Sequence, residues 1–260
     1  MNEQDFDEKI KMVADLIMAS DKVVVFTGAG VSTESGIPDF RSPGGIWSRF
    51  DPDDFTIDKF LYSVENRDRQ WTFLVSNGLF NQAQPNEGHK AIAWLEAIGK
   101  LSCVITQNVD DLHQKAGSDP NNVYELHGNM KWMRCLDCGE RYSLDDLFLR
   151  FASQPKAPVC EKCRGILKAE VIFFGEALPE KTLKDATYHA STCDLLIVIG
   201  SSLVVYPAAY MPMYAKSGGA HLIIINMSET PYDSDADVLI QAGAGEAMTR
   251  LASEVKKRLS

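Results

Sequence analysis

Positive charge is in short supply in this sequence. Across 260 residues, 26 Lys and Arg stand against 36 Asp and Glu, a formal net charge of −10. A field of that sign repels nucleic-acid phosphates, so direct nucleic-acid binding is not expected. The first residues, MNEQDFDEKIK, are acidic and polar and lack the apolar stretch of a secretory leader. The expected compartment is therefore the cytoplasm. Repeats, low-complexity tracts and flexible interdomain linkers are missing too, which argues against a repeat array or loosely tethered domains. One uncharged stretch, Leu195 to Ala215, has the length of a membrane span. Gly200, Ser201, Ser202, Pro207 and Pro212 break it into a strand, a polar loop and a helix start, so no membrane partner is expected.

Apolar residues make up 45% of the chain and charged residues 24%, ordinary values for a globular protein. That excludes general disorder, and the length suits one large or two modest domains. Phe6, Ile10, Val13 and Ile17 recur at helical spacing. Val23–Phe26, Leu101–Thr106, Leu195–Ile199 and Leu222–Asn226 read as buried strands, with Val238–Ile240 a further one and Val171–Phe174 another apolar run. Helical patterns cover 57–80, 87–98 and 179–191, and a last helix carries Met248, Leu251, Val255 and Leu259. The segment 34–55 reads as loop. Near-continuous apolar strands alternating with helices predict a doubly wound parallel, Rossmann-like α/β sheet.

Two stretches are too long for crossover loops. They predict a second, smaller domain built from two insertions, one a helical insertion and one in which the CxxC pairs Cys135/Cys138 and Cys160/Cys163 mark a zinc ribbon. The expected division is a discontinuous Rossmann-like domain of 1–37, 86–127 and 176–260, a loop and helical module of 38–85, and a zinc-binding module of 128–175.

Six cysteines are present. Cys103 and Cys193 sit beside apolar runs, as buried inert thiols do. Cys135, Cys138, Cys160 and Cys163 form two CxxC pairs separated by 21 residues, the pattern of one tetrahedral zinc site. Four thiolates complete the coordination, so this metal is expected to be structural. Charges of both signs flank the module, which favours a solvated surface over a docking face.

Val23–Phe26 runs into Thr27-Gly28-Ala29-Gly30. A Gly-rich turn after a first strand lets backbone N–H groups approach a pyrophosphate. Thr33 stands where the dinucleotide fingerprint has its third glycine, and alone the string also fits a tight turn without ligand. Thr106-Gln107-Asn108-Val109-Asp110 closes the second predicted strand, at the edge where open α/β sheets bind ligands. Glu125-Leu126-His127-Gly128 ends another apolar segment. A lone His there also fits a structural imidazole; the polar cluster and the Gly-rich turn on the same edge favour function.

Together these strings resemble the sirtuins, NAD-dependent protein lysine deacylases. The matching runs are GAGVSTESGIPDFRSPGGIW (28–47), TQNVDDLH (106–113), ELHG (125–128), the paired CxxC, FFGE (173–176), GSSLVVYP (200–207) and IIIN (223–226). They occur in family order over nearly the whole chain, which is similar to a bare catalytic core of bacterial or archaeal type. The resemblance implies that NAD is consumed as co-substrate and that acetyl-lysine proteins or peptides are the partners of a monomeric enzyme. Gly28, Ala29, Gly30, Ser32 and Thr33 would line pyrophosphate and ribose. Asp39, Phe40 and Arg41 belong to the cofactor loop, with Phe40 shielding the reacting carbon. Gln107, Asn108, Val109 and Asp110 would line the nicotinamide–ribose pocket. Gly200, Ser201, Ser202, Asn226, Met227, Ser228 and Ala244 would hold the adenosine side. Phe174, Gly175 and Glu176 with Val204, Val205 and Tyr206 would clamp the peptide as a strand.

The implied catalytic set is His127, Asn108 and Asp110. His127 would be the general base, also touching the cofactor; Asn108 would orient a ribose hydroxyl or water; Asp110 would bind the carboxamide. Implied products are nicotinamide, O-acetyl-ADP-ribose and free lysine. The alternatives are protein mono-ADP-ribosyl transfer, or removal of other neutral acyl groups, in the same site. Ser201 replaces a common Thr but keeps the hydroxyl. Lys168-Ala169-Glu170 precedes the apolar run where Arg/Lys-Pro is common in the family. The branch that reads acidic acyl groups has a Tyr and an Arg three residues apart; Phe73 and Ser76 fall there by counting and supply no cation. Succinyl and malonyl groups are therefore not expected.

Overall fold

The computed structural model describes residues 2–77 and 83–260. Its strands are β1 (Val23–Thr27), β2 (Leu101–Thr106), β3 (Val123–Glu125), β4 (Gly128–Cys135), β5 (Arg141–Ser143), β6 (Leu167–Val171), β7 (Leu195–Ile199), β8 (His221–Ile225) and β9 (Val238–Ile240). Six of them form one sheet in the order β3-β2-β1-β7-β8-β9, with every pairing parallel. This is the doubly wound arrangement, and the chain order reverses between β1 and β7.

Both faces of the sheet are covered, which explains why its strands lack polar alternation. Val23, Val25, Leu195, Ile197 and Ile223 face one way, into a core shared with the helices Glu3–Ala19, Glu87–Ala97 and Ala244–Leu259. Val24, Phe26, Leu196, Val198 and Ile224 face the other way, against the helices Glu180–Ser191 and Met211–Ser217. Cys103 and Cys193 lie in this second core. Burial pushes their thiols up to about 12 and about 11, so they stay protonated.

The two insertions pack on each other. Strands β5-β4-β6 form a small antiparallel sheet. Its core, with Leu144, Leu147 and Phe148, takes in Phe60 and Trp71 from the helical insertion. The Trp71 and Phe148 rings lie 5.4 Å apart.

Local readings need correction in four places. The helical pattern over 57–80 is two helices, Ile57–Tyr62 and Val64–Asn77, and its end lies outside the described residues. Ser63 adopts extended backbone between them, and its hydroxyl accepts the Asn66 N–H at 3.1 Å, so it ends one helix and caps the next. The Val171–Phe174 run is not a strand of the large sheet. The strand is Leu167–Val171, paired to β4 in the small one. Segment 34–55 contains short 3₁₀ turns at Ile46–Ser48 and Pro52–Phe55. Finally, the Gly-rich turn leads into the 3₁₀ segment Ala29–Ser35 and not into an α-helix.

Beyond the strands, the sheet's hydrogen bonding continues one step. Gly28 N–H donates to Ile199 O at 3.1 Å and Gly30 N–H to Gly200 O at 2.8 Å. A Cβ on Gly30 would fall 2.7 Å from Gly200 Cα, and one on Gly200 would fall 2.4 Å from Val31 N. The two turns therefore approach backbone to backbone. Gly200 also has φ +62, whereas Gly219 has φ +87 with open space around it. Gly200→Ala is expected to cost about 3 kcal/mol or more in urea unfolding, because steric overlap with rigid backbone adds to the left-handed penalty. Gly219→Ala, with the conformational penalty alone, is expected to cost about 1–2 kcal/mol. Equal costs would show that the close approach is not a constraint.

Candidate active site at the sheet edge

The switch point gathers the exits of β1, β2, β3 and β7. From β1 comes the Gly28–Gly30 backbone, and from β7 comes Ser201, whose buried hydroxyl accepts the Gln107 Nε2–H at 2.7 Å. Asn108 and Asp110, both buried, follow β2. The Asn108 amide donates to Gly28 O at 3.1 Å and to Ser32 Oγ at 3.2 Å. Both amide hydrogens are thereby used, which leaves Oδ1 as the acceptor of this side chain. The Ser32 hydroxyl donates to Asp110 Oδ2 at 2.7 Å, and Leu112 N–H donates to Asp110 Oδ1 at 3.0 Å. Burial raises the Asp110 carboxyl above the ordinary carboxylate value, and these two donors oppose the rise.

His127 follows β3. Its Nδ1 lies 3.0 Å from the Gln107 carbonyl oxygen, which can only accept. Nδ1 therefore carries the hydrogen and Nε2 the lone pair. Burial lowers its pKa, with the carbonyl contact working the other way. The imidazole is held neutral, in the tautomer a base needs.

A buried polar chain lies behind this set. His113 Nε2 stands 2.9 Å from Thr27 Oγ1, which donates to Thr106 Oγ1 at 2.8 Å. Thr106 Oγ1 also accepts the Asn108 N–H at 3.0 Å. His89 Nε2 lies 3.4 Å from Ser32 Oγ, and the His89 and His113 rings are 5.0 Å apart. Among the described residues the Nδ1 atoms of both rings have no hydrogen-bond partner. Burial pushes His89 down to about 4 and His113 down to about 3. Sequence reasoning did not single out Thr27, His89, Thr106 or His113. The signal was present for His113 inside TQNVDDLH and for His89 on an otherwise apolar helix face, but only the fold brings the two together.

The loop residues join the site from outside. Phe40 stacks at 5.1 Å on Trp47, which also contacts Phe55 at 5.5 Å and Phe174 at 6.3 Å. Arg41 Nη1 reaches Ser202 Oγ at 3.3 Å. The Asp39 carboxylate is used inside its own loop, accepting the N–H groups of Arg41 at 3.0 Å and Ser42 at 2.8 Å. Asn226 follows β8, its amide on Ser228 O at 2.7 Å, and Met227 is exposed. Ala244 opens the last helix, where Glu34, another residue the sequence reading passed over, accepts the Gly245 N–H at 2.9 Å. Thr33 and Val109 are not buried.

Phe174, Val204 and Tyr206 are exposed, as a peptide-facing surface requires, and Val205 is half-buried. The Phe174 N–H and C=O are both engaged, by Phe55 O at 3.0 Å and Ile57 N at 2.9 Å. Phe174 therefore has no backbone pair left to offer on that edge. Phe73 packs on Phe50 with ring centroids 4.8 Å apart; the Ser76 side chain lies outside the described residues.

In the small sheet the four cysteine sulfurs lie within 4.8 Å of one another. Zinc–sulfur bonds of about 2.3 Å in a tetrahedron place sulfurs about 3.8 Å apart, so this cluster fits a structural zinc. Cys135 and Cys160 are buried, Cys138 and Cys163 exposed.

The fold and this sheet edge define a Rossmann-like protein with a cluster of buried polar side chains beside His127 at its switch point. Residues 28–207 match the model of the Sir2 family. The chain is 46% identical to NAD-dependent protein deacetylase 1 of Bradyrhizobium diazoefficiens over 94% of this chain and 95% of that protein. It is 45% identical to NAD-dependent protein deacylase 2 of Pyrobaculum aerophilum over 95% of this chain and 96% of that one. Among solved structures, one described under the mechanism and regulation of Sir2 enzymes superposes with a TM-score of 0.89 at 43% identity, covering 98% of this chain and 100% of that chain. Another, a Sir2 with p53 peptide and NAD+, gives 0.85 at 38% identity, covering 96% and 99%. The chain belongs to the Sir2 family.

Two outcomes follow from this geometry. A strong chelator is expected to release one zinc per chain and lower the thermal midpoint, read by a colorimetric metal assay and calorimetry; an unchanged midpoint after full release would remove the structural role. The lowered histidine pKa values predict stability that is complete above pH 6.5, the ordinary value, and lost as pH falls below it, because the unfolded state then binds protons the folded state refuses. His113→Gln should flatten the fall in thermal midpoint between pH 6.5 and about pH 5, and an unchanged slope would contradict the burial argument.

Proposed function

We propose that the chain is an NAD-dependent protein lysine deacetylase, moving the acetyl group of acetyl-lysine to ADP-ribose with release of nicotinamide, O-acetyl-ADP-ribose and free lysine. The observation that carries this reading is His127, with its Nε2 lone pair available beside Gln107, Asn108 and Asp110 at the switch point. Membership of the Sir2 family supports it, as do the deacetylase and deacylase names of the relatives.

NAD, as co-substrate, supplies the electrophilic sugar carbon to which the acyl oxygen adds, together with a leaving group that departs neutral. The chain's own residues bind, orient and move protons around that carbon. Backbone at Gly28–Gly30 admits the diphosphate without side-chain obstruction. Asn108 Oδ1 accepts a hydrogen bond from a ribose hydroxyl or a water. Asp110, fixed by Ser32 and Leu112, receives the carboxamide N–H. His127 Nε2 takes a proton from the ribose hydroxyls so that they attack the acyl carbon. Phe40 covers the reacting centre against water, and the adenosine side rests on Gly200, Ser201, Ser202, Asn226, Met227, Ser228 and Ala244. The peptide lies between Phe174–Glu176 and Val204–Tyr206.

Acyl preference follows the lining. Phe73 carries no charge, and Arg69, one turn earlier, is paired to Asp54 at 3.1 Å. Acetyl and other neutral groups are favoured over succinyl or malonyl. We assign 1–37, 86–127 and 176–260 to the cofactor domain, with 38–85 and 128–175 as the modules over it. We also place the protein in the cytoplasm, where a four-thiol metal site and two free buried thiols keep their reduced state.

The test is an NAD-dependent assay on an acetyl-lysine peptide, reading nicotinamide, O-acetyl-ADP-ribose and free lysine by mass. All three rising in step supports deacetylation; nicotinamide without deacylated peptide would favour ADP-ribosyl transfer or another acyl group. His127→Ala should lose about 10²–10⁴-fold in turnover, and near-full activity would overturn its role as base. In the wild type, kcat/KM should rise with pH through a limb centred below 6.5, the ordinary value, because burial lowers the His127 pKa. A midpoint at or above that value would contradict the assignment.

A further inference from the structure

The turn Phe173–Glu176 is built on a lysine that the mechanism above does not use. Lys168 lies in β6 with its side chain 8% exposed. Its ammonium pairs with Glu176 Oε2 at 2.9 Å, donates to Val171 O at 2.6 Å and sits 4.6 Å from the Phe173 ring centroid. The same Glu176 oxygen accepts the Phe173 N–H at 2.8 Å, and Glu176 N–H donates to Phe173 O at 3.0 Å. The carboxylate thus closes the turn from its side chain while the backbone closes it directly, and the ammonium neutralises that carboxylate. A buried charge with one partner removed is costly, so each member of the pair holds the other in place.

What the turn presents is Gly175. Phe174 has spent its N–H and C=O on Phe55 and Ile57, and Gly175 forms no backbone hydrogen bond among the described residues. Gly175, at φ +91, is therefore the point of this segment from which a peptide backbone can be received. The strand bearing Lys168 is also tied to the rest of the site. Leu167 pairs in register with Cys135, and Ile172 N–H donates to His127 O at 2.9 Å.

We propose that Lys168 is a positioning residue for the acyl-lysine peptide, holding the Phe173–Glu176 turn through its ion pair with Glu176 so that Gly175 meets the substrate backbone. The inference rests on the deacetylase reading above. It predicts a defect in peptide engagement that leaves NAD engagement and chemistry nearly intact.

The experiment measures KM for acetyl-lysine peptide and for NAD, kcat, and direct binding of a fluorescent acetyl-lysine peptide by anisotropy. Lys168→Met should raise peptide KM and Kd about tenfold while kcat and NAD KM move less than about twofold, the loss expected for a hydrogen-bonded charge. Lys168→Arg should recover most of the affinity. Glu176→Gln should raise peptide KM alone, and adding it to Lys168→Met should bring little further loss, because the two act as one unit. Bound zinc and thermal midpoint report folding. Should Lys168→Met fail to fold, Glu176→Gln decides: an unmoved peptide KM there overturns the proposal. Peptide KM unmoved in folded Lys168→Met, or NAD KM and kcat changing along with it, also overturns it. A wild type that neither binds nor deacylates the peptide overturns the deacetylase reading itself, a result distinct from a working wild type with unaffected variants.

Discussion

The approach of two backbone turns between β1 and β7 is the constraint on which the rest of the molecule depends. Gly28 and Gly30 meet Gly200 and Ser201 at distances that no Cβ fits. This happens where the chain order reverses, and in a doubly wound sheet that reversal opens a crevice between the two halves. Without side chains, the floor of the crevice is peptide backbone. The Gly28 and Gly30 N–H groups are spent on Ile199 O and Gly200 O, so the close approach of the two turns shapes this floor. The neighbouring exits are then fixed by the ladder itself, since Gln107 N–H continues to Thr27 O at 3.0 Å and Leu126 N–H to Thr106 O at 2.9 Å. Placing Asn108 and His127 follows from placing β1 and β7.

The second requirement is polar satisfaction in a dry place. Thr27, Ser32, Thr106, Asn108 and Asp110 are all buried, and each has a hydrogen-bond partner from another member of the set or from adjacent backbone. Such a network is stable only when it is complete. The two histidines behind it are satisfied on one nitrogen each, which burial permits only for the neutral ring. The same low polarity that keeps them neutral acts on His127. The difference lies in which ring nitrogen is held: His127 is fixed at Nδ1 by the Gln107 carbonyl, whereas His89 and His113 meet Ser32 and Thr27 through Nε2. Two imidazoles thus brace buried hydroxyls, and the third is fixed through Nδ1 in the tautomer that keeps the Nε2 lone pair.

Much of this was legible in the sequence because its signals are local. Uninterrupted β-branched runs such as Val23–Phe26 and Leu195–Ile199 are buried on both faces and read as strands without ambiguity. Paired CxxC spacing marked the metal cluster. What failed to show was set by partners far along the chain. The strand containing Lys168 and Glu170 alternates Leu167, Ala169 and Val171 with two charges, a period-2 pattern that a search for unbroken apolar runs passes over, and its pairing partner is β4 of the small sheet. Ser63 breaks a helix because it caps the next one, a role invisible to a count of apolar positions. His89 and His113 are 24 residues apart, and their ring contact exists only once the helix Glu87–Ala97 lies over β2's exit.

The small module is more than an appendage to the sheet. Strand β4 begins immediately after His127, and β6 returns along it, so the peptide group of His127 is held from the module side by Ile172. Two residues later Phe174 bridges to the helical insertion at Thr56. One short segment, 171–176, is therefore tied to His127, the cysteine-bearing small sheet and the aromatic run of Phe55, Trp47 and Phe40. A metal with four protein ligands has no open position for chemistry, yet it fixes the ends of the strands that carry this segment. In this architecture the four-cysteine cluster contributes geometry. It limits where β6 can lie, and β6 in turn limits where His127 and the Phe173–Glu176 turn can be relative to each other.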